Sequence, residues 1–136
     1  MGNLPGTRPY RKTKERAIKG FLKLTVRNVT RGTTLGDNID VADTSAKRSV
    51  GLLKKTGLKP GEGLWIVPCE GIHMFFMKFP IDVVYIDRKK RVRKTVRALR
   101  PWRASLCISA HSVIELPVGV IEASQTQKGD QLEWDA

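Results

Sequence analysis

From Phe21 the chain alternates: Leu22, Leu24 and Val26 interleave with Lys23, Thr25 and Arg27, the period-two signature of a strand with one buried face. Breaks at Gly32 and at Gly36-Asp37-Asn38 precede a second strand predicted near Ile39 to Ala42. Asp43-Thr44 offers a helix N-cap, and Ala46, Val50 and Leu53 recur at helical spacing, with Lys54-Lys55 before Gly57. A helix is predicted over about 44–55. Gly51 inside it costs stability relative to Ala, which implies that another backbone packs close there. After the turn at Leu58–Gly63, short strands are predicted at 64–67, 72–76 and 82–87, the last two separated at Phe79-Pro80, where a proline belongs. A turn at Asp87–Lys90 leads into 91–98, with Val92 and Val96 on one face and Arg91, Arg93 and Arg97 on the other. A strand at 112–116, a helical turn at 118–124 and a closing strand at 132–134 after Gly129-Asp130 complete the pattern. Many short strands with Gly and Pro turns and one main helix predict a mostly β fold, a sandwich or partly open barrel with that helix packed on it.

Charge changes the picture at the N-terminus. Residues 1–20 hold Arg8, Arg11, Lys12, Lys14, Arg16 and Lys19 against Glu15 alone. So little apolar surface cannot offset the entropy of ordering, so a flexible basic arm is expected over 1–20 and a single domain over 21–136. The whole chain of 136 residues carries a formal charge of +12, which favours polyanions or anionic surfaces as partners. No window holds the ~18 to 20 apolar residues of a membrane span. The N-terminus lacks the apolar core and cleavage site of an export signal, so a cytoplasmic protein with Cys69 and Cys107 reduced is expected. Whether those two cysteines meet is not readable from spacing.

The most apolar stretch is also the most chemically mixed. Cys69-Glu70-Gly71-Ile72-His73-Met74-Phe75-Phe76-Met77-Lys78-Phe79-Pro80-Ile81-Asp82-Val83-Val84-Tyr85 resembles C-x-x-I-H-T-F-x-M-R-F-P-I-D-V-V-F. Arg48–Leu53 resembles R-x-x-G-L-M, Ile114–Gly119 resembles L-E-L-P-A-G, and Gly129-Asp130 a closing G-D. Together these resemble the family of domains of unknown function numbered 192, uncharacterised protein family 0127, over about Leu24 to Glu133. Leu53 for Met, Met74 for Thr and Val118 for Ala are the departures. The resemblance implies a compact, mostly β, jelly-roll-like sandwich with a helix on it and no established activity.

Several residue sets are candidates for chemistry. Cys69 and His73 are the weak catalytic pair, a thiol and a base. On a strand they would stand about 13 Å apart, and with Cys107 and His111 they lack zinc-finger spacing, so packing or hydrogen bonding is expected and no metal or cofactor. Asp82 and Glu115 sit in apolar runs and need a cation or several donors if buried. Arg48, Lys78, Asp82 and Glu115 therefore form the candidate ligand pocket, with an Arg–carboxylate lock between helix and sheet as the purely structural reading. Met74, Phe75, Phe76, Met77 and Phe79 are expected to be two-sided core. Arg88, Lys89, Lys90, Arg91, Arg93 and Arg97 with Trp102 form the candidate polyanion surface, with no nucleic-acid-binding motif beside them.

The catalytic set is incomplete. The expectation is therefore a non-enzymatic accessory or ligand-binding domain with a small ligand or protein partner. A nucleic-acid or polyanion binder acting through 88–103 is one alternative, and an enzyme using Cys69/His73 or Asp82/Glu115 another.

Overall fold

In a computed structural model, residues 23–135 are described; the basic segment 1–20 lies outside them. The elements are β1 (Leu24–Asn28), β2 (Thr33–Ala42), α1 (Ser45–Val50), β3 (Glu62–Ile66), β4 (Gly71–His73), β5 (Ile81–Ile86), β6 (Val92–Leu99), β7 (Ala104–Leu106), β8 (Ser112–Leu116), α2 (Val120–Ser124) and β9 (Leu132–Asp135). Seven strands form one sheet in the order β6-β5-β8-β3-β2-β1-β9, and β4 pairs with β7 in a two-stranded sheet. All pairings are antiparallel except β2 with β3.

The large sheet curls until its edge strands meet at one end. There Arg91 bridges Gln131, Val92 N–H donates to Asp130 C=O at 2.8 Å, and Leu132 N–H donates to Lys90 C=O at 2.9 Å. Asp130, in the turn before β9, receives Arg31 through both oxygens at 3.0 and 3.1 Å, and Asn28 at 2.9 Å. Burial alone would raise this carboxyl; the bonds from Arg31, Asn28 and the Gln127 amide outweigh it and hold Asp130 below the ordinary carboxylate range.

Strict alternation then divides the core in two. Val26, Ile39, Trp65, Val84, Ile114, Leu132 and Trp134 fill the concave side, where the Trp65 and Trp134 rings meet edge to face at 4.8 Å. Leu64, Ile66, Val83, Tyr85 and Val113, from β3, β5 and β8, face outward and are covered by Leu52, Met74, Met77 and Leu99. Both faces of β5 and β8 are thus buried along their whole length, even at Asp82, Ser112 and Glu115, which interrupt their apolar runs.

Four expectations change. The predicted helix 44–55 is shorter, Ser45–Val50, buries none of its residues, and ends at Gly51 with φ 50°. Gly51 is there for that positive φ, not for close packing: a Cβ would meet only the Arg48 carbonyl oxygen, at 3.8 Å. The helix packed against the sheet is α2, through Ile121. Finally, 74–77 is a turn rather than strand, so Met74 and Met77 go inward while Phe75 and Phe76 remain 44% and 71% exposed.

Candidate functional site

A cavity of about 450 Å³ opens between α1 with its following turns and the segment leading into β4. Arg48, Cys69, His73 and Met74 contribute to its walls and Glu115 to its base. Pairing explains the position of Glu115. On β8 it lies directly between Leu64 of β3 and Val83 of β5, on the outward face that its neighbours Ile114 and Leu116 avoid. Only 6% of it is exposed. Among the described residues its carboxyl has no hydrogen bond or ion pair. Burial pushes it up from 4.5 to about 7, because an apolar floor disfavours the charged form. Near neutral pH this carboxyl can therefore both donate and accept.

Arg48 reaches the same cavity but, among the described residues, makes no ion pair with a carboxylate. Its guanidinium donates to the Asp43 carbonyl at 3.2 Å, to Ser45 Oγ at 3.4 Å and to the Val67 carbonyl at 3.5 Å, long contacts that hold the head between α1 and β3. Cys69 donates its thiol to the Gly71 carbonyl at 3.1 Å. Burial is the main cause that pushes this thiol up; the Gly71 bond opposes it, the Glu115 charge raises it further and Arg48 lowers it. That is the opposite of what activates a cysteine nucleophile. The His73 ring stacks on Phe75 at 4.7 Å and is not hydrogen-bonded to Cys69. Both cysteines are free thiols, and among the described residues no three His, Cys, Asp or Glu side chains are grouped as metal donors.

The other two members of the predicted pocket lie elsewhere. Lys78 is exposed. Asp82 points to the concave side: one oxygen accepts from Ala98 N–H at 2.9 Å, the other from Gly119 and Ile121 N–H at 3.1 and 2.9 Å. The reason is a bulge. β5 and β6 slip register between Ile81 and Val83, Ala98 turns to φ 49°, and Asp82 satisfies the freed amide together with two at the start of α2. The helix–sheet lock thus uses a carboxylate and backbone donors, not Arg48.

The predicted polyanion residues are scattered. Arg88 and Lys89 occupy an exposed turn. Arg91 and Arg93 donate to the Gly129 carbonyl and Ser109 Oγ at 3.4 and 3.3 Å, and Arg97 lies 3.8 Å from Glu122. The Lys90 ammonium sits 4.9 Å over the Trp134 ring. Trp102, 59% exposed, stands apart from that turn, against Phe75 and Phe76. The sequence pattern put those two phenylalanines in the core, and with no Gly, Pro, Asn, Asp or Ser in 74–77 nothing in the sequence signalled the turn that exposes them.

The DUF192 family, described as an uncharacterized ACR, matches residues 26–134. A UPF0127 protein of Thermococcus sibiricus is 36% identical over 114 residues, 79% of this chain and 73% of that protein. A UPF0127 protein of Pyrococcus furiosus is 34% identical over 115 residues, 79% of this chain and 96% of that protein. A crystal structure of a Novosphingobium aromaticivorans protein of unknown function superposes with a TM-score of 0.71 at 23% identity, covering 83% of this chain and 84% of that one; it shares the fold. No helix among the described residues is long and apolar enough to cross a membrane. The family match and the archaeal relatives establish that the chain belongs to DUF192.

Proposed function

We propose that this domain is a non-enzymatic binding module whose cavity takes a small polar ligand carrying a cationic or hydroxyl donor for Glu115. One observation carries the reading: Glu115 is almost completely buried, yet among the described residues it has no hydrogen-bond partner. Its carboxyl lines the cavity without a protein donor among the described residues, so a ligand donor reaching the cavity base would satisfy it. Arg48, held at the cavity wall by carbonyls, suits an acidic group on the same ligand. A cavity of about 450 Å³ is within the usual range for small-molecule sites. A larger surface depression, about 850 Å³ beside Arg88 and His111, has only exposed or half-exposed polar residues in its lining and offers no comparable anchor.

Calorimetric titration with small amines, amino acids and matched carboxylates tests the reading. An amine-bearing ligand is expected to bind the parent more tightly as pH rises through 7, where Glu115 becomes charged, and at least tenfold more weakly to Glu115→Gln. Equal binding to parent and variant, or no binding by any amine, would overturn it.

A further inference from the structure

Away from the cavity, two tight turns present three aromatic rings to solvent. Phe75 and Phe76 follow β4, Trp102 precedes β7, and backbone bonds tie the turns together: Met74 N–H donates to Arg103 C=O at 2.7 Å, and Trp102 N–H to Met74 C=O at 2.8 Å. Trp102 lies 4.9 Å edge-on to Phe76 and 5.9 Å from Phe75. Both turn tips are strained. Phe76 has φ 65° and Trp102 φ 71°, left-handed conformations that cost a non-glycine residue free energy. Glycine, the residue suited to each position, is absent from both, and in its place a large ring is held in water.

The surroundings are cationic. Residues 71–81 and 88–114 contain no acid, while Lys78, Arg100 and Arg103 flank the rings and are exposed. A groove of about 740 Å³, lined by His73, Lys94, Leu99 and Leu106 among others, lies alongside between β6 and the small sheet. Exposed aromatic faces flanked by exposed cations are the features that hold a flexible polyanion with unpaired bases.

We infer that this platform binds single-stranded nucleic acid, with bases stacking on Phe76 and Trp102 and phosphates following Arg100, Arg103 and the groove toward Lys94. Exposed ring faces on which bases can stack, flanked by cations, favour a strand over an anionic bilayer, which would meet the turn tips alone. The groove shares His73 with the wall of the Glu115 cavity, whereas Phe75, Phe76 and Trp102 do not line that cavity.

The test uses the full chain at physiological salt. Trp65 and Trp134 are buried, so saturable quenching of tryptophan fluorescence by oligothymidine reports on Trp102. A matched duplex, whose base faces are covered, is expected to bind at least tenfold more weakly. By anisotropy of labelled oligothymidine, Trp102→Gly and Phe76→Gly, which suit the left-handed turns, are each expected to lose about tenfold in affinity while melting cooperatively like the parent. Arg100→Glu with Arg103→Glu should lower the slope of log affinity against log salt by about 1.4. Unchanged binding by both glycine variants, equal affinity for duplex, or quenching by phosphatidylserine vesicles but not by oligothymidine would overturn the inference.

Discussion

At the scale of single residues, polarity decides less than what surrounds it. Asp82 and Glu115 look alike in sequence, each a carboxylate in an apolar run, and both are indeed buried. They differ by the face of the sheet they occupy. Asp82 turns inward to three backbone amides, and Glu115 turns outward to a cavity. Sequence made their burial legible, because a carboxylate among β-branched neighbours has nowhere else to go. The partners of Asp82 were not legible, because a bulge and a helix start distant in the chain supply them. Cys69 makes the same point. Its thiol is raised chiefly by burial, so it is expected to react with a disulfide reagent at least tenfold more slowly in the folded protein than in urea. Equally fast reaction in both states would restore it as a candidate nucleophile.

At the scale of elements, strands were easier to read than helices. The 112–116 strand matches β8 end to end, since a run buried on both faces has a clear limit at Pro117. The helix 44–55 shrank to Ser45–Val50, because the apolar spacing of Leu52 and Leu53 belongs to the turns that follow Gly51. α2, only Val120–Ser124, has too few residues to stand alone and depends on tertiary capping. Gly119 provides no side chain for that purpose, and Asp82 supplies the missing acceptor. Asp82→Asn is accordingly expected to destabilise the domain by about 3 kcal/mol, since it sets an amide against buried donors that lose a charged acceptor. Urea denaturation with an unchanged m-value measures this. A midpoint equal to the parent's would mean that α2 is held by Ile121 packing alone.

At the scale of the whole molecule, the curl of the large sheet creates two environments from one alternating pattern. The concave side is closed by β9 against the start of β6 and filled by rings and aliphatic chains. The outward face of β3, β5 and β8 is covered less completely, by α1, its turns and the small sheet, and the gap in that cover is the cavity above Glu115. The family resemblance made this architecture legible, but not the gap, which depends on where a short helix ends. Glu115 is buried without a partner among the described residues, and linkage measures the consequence. Its carboxyl rises from 4.5 unfolded to about 7 folded, so between those values the folded state binds more protons. Stability must therefore fall as pH rises through that window: the penalty is absent below 4.5 and complete, at about 3 kcal/mol, above 7. The decisive measurement is the unfolding free energy of the parent and of Glu115→Gln across this range. The account predicts that the variant gains on the parent by about 3 kcal/mol from the acid to the alkaline end. Parallel profiles would show that Glu115 is paired or hydrated in the folded protein, and would contradict it.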